Sequence, residues 1–423
     1  MKILVVGSGG REHALCRAFS QSRKVSKVYC APGNAGIAAI AECVAIKPEA
    51  IEELAEFAVY EGIDLTFVGG ETALALGIVG HFTGCGLKII GPTKEAAQLE
   101  ASKSFAKDLM KQYLVPTAEY RTASSPEEAI DILESGVFGP EHTPVVVKAD
   151  GLAAGKGVVV AANRREAIDA INEMESLVGS EAADSIVLEE CLFGEEISLL
   201  LFTDGFKYEL MPVTRDHKRI GEGDTGPNTG GMGTITDDTL LDPSELAEIE
   251  VRVVMRTLEA CSAEGFPFKG VLFIGLMMTE KGPKVLEYNV RFGDPETQAI
   301  LVRLWTDLVE ICEAIDEERL GDLEVEWSKG SSACVVLASE GYPGKARSGD
   351  VINGLEEAKQ HEGVVIFHAG TATNADGDIV TAGGRVLGIT ATGPDRRTAL
   401  ERAYGAVAKI SWPGMQYRRD IGK

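Results

Sequence analysis

The sequence lacks several features that would place it in common classes of protein. None of its eight cysteines forms a C-x-x-C pair, and its six histidines show no H-x-H or H-x-x-x-H spacing, which argues against a zinc site. No apolar run is long enough to span a membrane. The chain opens on a strand pattern, MKILVVG, with no signal peptide pattern. We therefore expect a cytoplasmic protein with reduced thiols and no membrane partner.

Positive charge is also scarce. The 423 residues include 41 Lys and Arg against 65 Asp and Glu, which gives a formal net charge of −24. A surface of this sign repels nucleic acid phosphates, so we expect no nucleic-acid partner. An anionic small substrate would need a local group of lysines and arginines. The length predicts about two to four domains.

Glycine is abundant in one distinctive stretch, residues 144–161, PVVVKADGLAAGKGVVVA. Two β-branched runs flank a loop that contains Lys148, Gly151, Gly155 and Gly157. Glycines let a backbone approach a phosphate, and lysine supplies a positive charge. A Walker A loop has four residues between its glycines and leads into a helix, so this spacing differs from it. The pattern predicts a hairpin lid over a triphosphate, with an ordinary glycine-rich hairpin as the alternative.

The first hundred residues alternate strand and helix patterns, which predicts a doubly wound α/β domain. The strand at 2–6 runs into GSGGREH, which lacks the third glycine of a dinucleotide-binding fingerprint. A helix that begins after glycines still binds an anion, and Arg11 favours a single phosphate. The candidate residues at the carboxyl ends of the strands are Gly9, Gly10, Arg11, Asn34 and Glu71.

The central part contains two patterns suited to a nucleotide. A predicted helix at 96–112 carries Lys103 and Lys107 on one face, either exposed to solvent or with one lysine at a phosphate. The run EECLFGEE, in which Gly194 indicates a tight connection between two strands, holds four glutamates. Such a connection can pair its backbone with an adenine edge and offer a carboxylate to ribose hydroxyls.

Residues 212–233 form the longest polar, glycine-rich stretch of the chain, with a dense charged group at 215–219. A long loop of this kind is usually functional or disordered. We expect it to be mobile without ligands and to close over a site, and a mobile surface loop is the alternative.

The run KVLEYNVRFGDPETQ predicts a metal site. Strand alternation places Glu287 and Asn289 on one face, and Arg291 joins them if the strand continues. Two oxygen ligands suit Mg²⁺, which takes waters and phosphate oxygens as its other ligands. For Asp294 we expect a helix N-cap, with Pro295 at the first helical position.

These motifs together resemble the phosphoribosylamine–glycine ligase (glycinamide ribonucleotide synthetase) family of ATP-grasp enzymes over essentially the whole chain. In chain order they are GSGGREHAL, APGNAG, SKSFAKD, VVVKADGLAAGKGV, EECLFGEE, RDHKR, GPNTGGMG and NVRFGDPETQ. Two departures affect the pockets: GGETALALG stands where the family reads closer to G-P-E-A-P-L, and Cys191 stands where a bulky aromatic is common.

The resemblance implies an α/β and α+β multidomain architecture. It consists of an N-terminal doubly wound α/β domain over 1–100, a central ATP-grasp region over 101–325 with a small lid subdomain at 120–190, and a small C-terminal α/β domain over 326–423. The implied reaction ligates glycine to 5-phosphoribosylamine with ATP through glycyl phosphate, in de novo purine biosynthesis. The implied metal is Mg²⁺ or Mn²⁺, and we expect a monomer or a weak dimer.

The resemblance also assigns site residues. The implied ATP-binding residues are Lys103, Lys148, Gly155, Gly157, Glu189, Glu190, Leu192 and Glu196. The implied phosphoribosylamine-binding residues are Gly9, Gly10, Arg11, Glu12, Asn34 and Glu71. The implied metal ligands are Glu287 and Asn289, and the implied catalytic residues are Arg291, Asp216 and Lys218. Arg291 would take the carboxylate of glycine and Asp216 its amino group.

Three alternatives stay open. A formate- or bicarbonate-using ATP-grasp ligase is disfavoured by the GSGGREH loop. An NAD(P)-binding oxidoreductase is disfavoured by the missing third glycine and by the paired oxygen ligands. A catalytically inactive nucleotide-binding regulator is disfavoured by the presence of Lys148, Glu287, Asn289 and Arg291.

Overall fold

The computed structural model describes residues 1–151, 157–179 and 185–423. Its first sheet has five parallel strands in the order β3-β2-β1-β4-β5. These are Lys2–Gly7 (β1), Lys27–Pro32 (β2), Glu42–Cys43 (β3), Leu65–Val68 (β4) and Ile89–Ile90 (β5). The helices between them are Gly10–Ser20 (α1), Ile51–Glu61 (α2), Glu71–Leu76 (α3) and Ile78–Gly84 (α4). The predicted doubly wound α/β fold of this part is confirmed.

A four-stranded antiparallel sheet follows, in the order β6-β9-β7-β8. Its strands are Tyr120–Ala123 (β6), Val145–Ala149 (β7), Val158–Ala161 (β8) and Ile186–Glu190 (β9). The helices of this part are Gln98–Ala101 (α5), Lys103–Gln112 (α6), Pro126–Glu134 (α7) and Arg164–Val178 (α8). Strands β7 and β8 pair as the predicted hairpin, with Lys148 opposite Val158.

The largest sheet has nine strands, in the order β17-β16-β10-β12-β15-β18-β22-β19, with β11 beside β10. They are Glu195–Asp204 (β10), Tyr208–Leu210 (β11), Thr214–Asp216 (β12), Gly233–Thr236 (β15), Lys269–Thr279 (β16), Gly282–Asn289 (β17), Ser331–Ala338 (β18), Val364–His368 (β19) and Arg385–Gly393 (β22). The sheet runs without a break across residue 326, and the domain division proposed from the sequence stays a prediction.

Two short hairpins and the remaining helices complete the fold. The hairpins are Arg219–Gly221 (β13) with Thr225–Asn228 (β14), and Thr371–Thr373 (β20) with Ile379–Thr381 (β21). The helices are Pro243–Ile249 (α9), Met255–Ala263 (α10), Glu296–Leu301 (α11), Leu308–Asp316 (α12), Leu355–Ala358 (α13) and Arg396–Val407 (α14). No helix in the described ranges is long and apolar enough to cross a membrane.

Two local predictions are wrong in part. The helix expected at 96–112 is two helices, because Ser102 leaves helical geometry and its hydroxyl accepts the Phe105 N–H (3.2 Å) as an N-cap. The stretch at 212–233 is not one loop, since it contains β12, β13 and β14 and leads into β15.

Candidate active site

One cavity of about 360 Å³ lies where residues that follow β1 and β4 meet the four-stranded and nine-stranded sheets. Eleven of the residues predicted from the sequence line it: Arg11, Glu71, Lys103, Lys148, Gly157, Glu189, Asp216, Lys218, Glu287, Asn289 and Arg291. The chain thus brings together groups up to 280 positions apart in sequence. Gly155 lies outside the described residues.

A buried ion triad forms one wall of the cavity. The Glu189 carboxylate on β9 lies 2.7 Å from the Lys148 ammonium on β7 and 2.9 Å from the Lys107 ammonium on α6. All three side chains are less than 10% exposed. Burial lowers the pKa of Lys107 to about 8, against the opposing effect of Glu189. Two cations share one anion, so this wall has positive charge available for a phosphate.

Lys103 lies at the beginning of α6 and connects this helix to the glycine-rich loop. Its backbone N–H donates to Asp150 (2.5 Å), and its ammonium donates to the carbonyl of Gly151 (2.8 Å). Burial lowers the pKa of Lys103 below its ordinary value. The sequence left open whether Lys103 or Lys107 reaches a nucleotide. In the structure Lys107 forms an ion pair with Glu189, whereas Lys103 is partly exposed beside the glycine-rich loop.

The oxygen pair predicted on β17 faces the cavity. Glu287 and Asn289 line it, and so does Tyr288, whose hydroxyl shares a buried hydrogen bond with Thr257 (2.7 Å). The nearby Lys218 ammonium, 3.5 Å from the carboxylate, holds the pKa of Glu287 below its ordinary value against the effect of burial. Among the described residues no group of three or more His, Cys, Asp or Glu could hold a metal. The two oxygen donors of Glu287 and Asn289 suit a divalent ion that takes its other ligands from phosphate and water.

Arg291 is held by two carboxylates. Its guanidinium donates to Glu71 (3.0 Å) and to Glu100 (2.6 Å), and Glu100 also accepts the Val290 N–H (2.8 Å). Burial raises the pKa of Glu100 to about 7, while Arg291 opposes the rise. Glu100 was not among the residues predicted in the site, because a glutamate in a short helix is typical of a solvent-exposed position when its distant partner is unknown.

Asp216, at the end of β12, is half-buried, and its carboxylate oxygen Oδ1 is buried without a hydrogen-bond partner among the described residues. Burial and the neighbouring carboxylate of Glu296 raise the pKa of Asp216 well above its ordinary value. Glu296, at the start of α11, was also missed from the sequence. A cation placed between these two carboxylates would satisfy both, so they suit an ammonium group.

The residues predicted at the N-terminus of α1 mostly make internal contacts. The Gly9 N–H donates to Glu12 (2.5 Å), and the Arg11 N–H donates to Asp294 (3.3 Å). The Asn34 side-chain amide donates to the carbonyls of Ser8 (2.8 Å) and of His368 at the end of β19 (2.9 Å). Gly9, Gly10, Glu12 and Asn34 do not line the cavity, whereas Arg11 and Glu71 do. A phosphate site at this helix stays a prediction.

The predicted capping role of Asp294 is wrong. The N-cap position of α11 is Pro295, and no side chain caps the helix there. The Asp294 carboxylate instead accepts the side-chain amide of Gln298 (2.9 Å), besides the Arg11 N–H. Arg385 at the start of β22 donates to the Asp294 carbonyl (2.6 Å) and lines the cavity. No residue of 326–423 was predicted in the site, since an arginine after two glycines resembles an ordinary turn.

The turn between β9 and β10 lies beside the cavity rather than in its lining. Glu190 accepts the Lys284 ammonium (2.6 Å), Leu192 is half-buried, and Glu196 pairs with Lys218. None of the three lines the cavity. Their predicted contacts with adenine and ribose stay predictions.

A parallel α/β sheet, two antiparallel sheets and a lysine-lined cavity with paired oxygen ligands between them define an ATP-dependent ligase of the ATP-grasp class. Three family descriptions match: "Phosphoribosylglycinamide synthetase, N domain" over residues 1–100, "ATP-grasp (A) domain" over 101–297 and "C domain" over 332–423. The chain belongs to the phosphoribosylglycinamide synthetase family.

Relatives with a named activity support this assignment. The chain is 48% identical over 422 residues to a phosphoribosylamine–glycine ligase of Caldanaerobacter subterraneus, covering 100% of this chain and 99% of the relative. It is 46% identical to a trifunctional purine biosynthetic protein of Gallus gallus, covering 100% of this chain and 42% of that protein. The crystal structure of the phosphoribosylamine–glycine ligase of Thermotoga maritima matches with a TM-score of 0.85 and 34% identity, covering 100% of both chains.

Proposed function

We propose that this chain joins glycine to 5-phosphoribosylamine with ATP, giving glycinamide ribonucleotide, ADP and phosphate in purine biosynthesis. The observation that carries the proposal is the single cavity that unites Lys103, Lys148, Glu287, Asn289 and Arg291. Phosphate-binding cations, oxygen ligands for a metal and a site for a carboxylate are the three things that activation of an amino acid by ATP requires.

The first step activates glycine. A carboxylate is a poor acyl donor, so its oxygen attacks the terminal phosphate of ATP and forms glycyl phosphate with release of ADP. Lys103 and Lys148 would hold the phosphates, and Arg291 would hold the carboxylate. Phosphoryl transfer depends mainly on such positioning and charge stabilisation.

Glu287 and Asn289 would hold the metal, for which we propose Mg²⁺ or Mn²⁺. When bound, a divalent ion neutralises negative charge on the phosphates. The ionised Glu287 and the amide oxygen of Asn289 are hard donors that suit either ion.

In the second step the amine of phosphoribosylamine attacks the carbonyl of glycyl phosphate, and phosphate leaves as the C–N bond forms. The amino group of glycine would lie at Asp216, near the unpartnered Oδ1 atom. The segment at 212–233 would help exclude water, which competes for an acyl phosphate.

The test of the function is the release of ADP with glycine and freshly prepared phosphoribosylamine, omitting each in turn. We expect ligation to require all three substrates. Release of ADP that does not depend on glycine would contradict the proposal. We also propose that the protein is a monomer or a weak dimer, and sedimentation would measure its oligomeric state. We further propose that it lies in the cytoplasm, which agrees with its eight free cysteines.

Arg11→Ala is expected to raise the Michaelis constant for phosphoribosylamine. Arg11 lines the cavity at the first sheet, and its guanidinium donates to the Phe292 carbonyl (2.9 Å). The loss of one charged contact corresponds to roughly tenfold or more in affinity. Steady-state kinetics with each substrate varied would measure the change.

The control is Arg17→Ala, on the same helix but outside the cavity lining. The Michaelis constants for ATP and glycine should stay near those of the wild type in both variants. An unchanged constant for phosphoribosylamine in Arg11→Ala would show that this substrate binds elsewhere.

Asp216→Asn is expected to weaken glycine binding far more than ATP binding. The change removes a negative charge next to the proposed ammonium position and almost no volume. The loss of a charged hydrogen bond of about 1.5–3 kcal/mol corresponds to roughly tenfold to hundredfold in the Michaelis constant for glycine. The constant for ATP, measured on the same preparation, is the internal control, and equal changes in both would contradict the assignment.

A further inference from the structure

Residues 417–423 lie against the hairpin formed by β13 and β14, and Arg418 makes the central contacts. Its side chain is only 2% exposed. One guanidinium nitrogen, Nη1, donates to the carbonyl of Arg219 (3.1 Å) and to the carboxylate of Asp224 (2.6 Å). The other two nitrogens donate to the Asp420 carboxylate, at 2.8 Å each. All three guanidinium nitrogens thus donate hydrogen bonds, and two of the acceptors, Arg219 and Asp224, belong to the hairpin.

Two more contacts join the same segments. The Gly223 N–H, in the turn of the hairpin, donates to Asp420 (2.8 Å). The Gly422 N–H donates to Nε2 of His217 (3.2 Å), whose Nδ1 lies 3.2 Å from the Gly233 carbonyl. The imidazole therefore accepts on one nitrogen and donates on the other, which requires its neutral form.

The hairpin leads directly into the active site. Asn228, the last residue of β14, and Thr229 both line the cavity. The N–H and the hydroxyl of Thr229 both donate to the carbonyl of Lys218 (2.8 Å each). His217 lies between Asp216 and Lys218 in the chain. Displacement of the hairpin would therefore move the backbone that carries both proposed catalytic side chains.

We propose that Arg418 is a positioning residue for the ligation. It holds the β13–β14 hairpin, and through Thr229 it fixes the backbone of Lys218 beside the acyl phosphate. The same C-terminal segment, which Arg418 anchors, holds His217 next to Asp216 through the Gly422 N–H. The inference rests on the proposed function, because an acyl phosphate must be kept from water. Arg418 itself does not line the cavity, so it acts only through these residues.

Arg418→Met and Arg418→Lys test the proposal. Methionine removes every hydrogen bond of the guanidinium but keeps an aliphatic side chain, whereas lysine keeps the positive charge and some of the hydrogen bonds. In Arg418→Met we expect the number of ADP molecules released per ligated product to rise severalfold. The ligation rate should fall roughly tenfold to hundredfold, since a displacement of about 1 Å in a site can cost about 10²-fold. ATP affinity should stay unchanged, and Arg418→Lys should restore part of the coupling.

The matched control is Arg402→Met. Arg402 also binds a carbonyl, that of Thr392 (2.8 Å), and a carboxylate, that of Glu362 (2.6 Å), without touching the hairpin. A general loss of stability would affect both variants alike. Only Arg418→Met should change the ratio of ADP to product and the rate of tryptic cleavage at Arg215, Lys218 and Arg219.

A wild-type ratio of ADP to product in folded Arg418→Met would overturn the proposal, whatever the tryptic rate. If this variant does not fold, Asp224→Asn replaces it, since Asp224 is exposed and asparagine tolerates its positive φ of 52°. A normal ratio in Asp224→Asn would then count against the proposal. Failure of the proposed function would look different, since the wild type itself would release no glycine-dependent ADP.

Discussion

Alanine in place of Glu287 is expected to remove most ligation activity while leaving the fold nearly intact. Glu287 supplies the charged half of the oxygen pair on β17, and its carboxylate is ionised beside Lys218. Loss of a metal ligand or of its support lowers metal affinity by roughly tenfold to hundredfold. The concentration of Mg²⁺ or Mn²⁺ that gives half-maximal activity should rise accordingly, and a titration at saturating ATP would measure it.

The control for this prediction is Glu280→Ala, which removes an exposed carboxylate from the turn between β16 and β17. It should keep wild-type metal dependence. A near-normal rate of Glu287→Ala at limiting metal would show that the metal lies elsewhere. Asn289→Ala should resemble Glu287→Ala but with a smaller effect, since an amide contributes no charge.

Alanine in place of Lys148 is expected to lower both ATP affinity and turnover. The change removes a cation that we propose to contact the phosphates of ATP, and among the described residues it leaves the buried Glu189 with Lys107 as its ammonium partner. Removal of a positioned donor from a transition state typically costs on the order of 10²-fold in turnover. Breaking a buried ion pair costs about 3–5 kcal/mol of stability, and the remaining pair with Lys107 should keep the loss near the lower figure.

Equilibrium binding of ATP, single-turnover rates and thermal unfolding would separate these effects. Lys269→Ala is the matched control, because Lys269 pairs with Glu318 on the surface away from the cavity. Near-wild-type ATP affinity and turnover in Lys148→Ala, with only the stability reduced, would mean that Lys148 serves only to balance Glu189.

The fold was predictable where the pattern is local. The strands of the first sheet follow short apolar runs with glycines after them, and the strand expected at 2–6 is Lys2–Gly7 in the structure. The break in the helix at Ser102 was not predictable in this way. It depends on Asp150, which accepts N–H groups at the start of α6 from a position 47 residues away.

The residues of the site also divide into those that a local pattern predicted and those that depend on distant partners. Glu287 and Asn289 were found because strand alternation places them on one face. Arg291 lines the same cavity although β17 ends at Asn289. Glu100 and Arg385 were missed, because their roles depend on partners 191 and 91 residues away. Sequence patterns describe which side of an element a residue occupies, but not which distant charge faces it.

The charges of the cavity have one further consequence. Its described lining holds seven basic residues, Arg11, Lys103, Lys107, Lys148, Lys218, Arg291 and Arg385, and seven acidic ones, Glu71, Glu100, Glu189, Asp216, Glu287, Asp294 and Glu296. Formal charge therefore balances there, within a chain whose net charge is −24. We expect an anionic substrate to receive little long-range attraction and to bind by displacing carboxylates from the cations that they already hold. Binding of ATP in this cavity would then be an exchange of ion-pair partners, with a selectivity set by which of these ion pairs the substrate can replace.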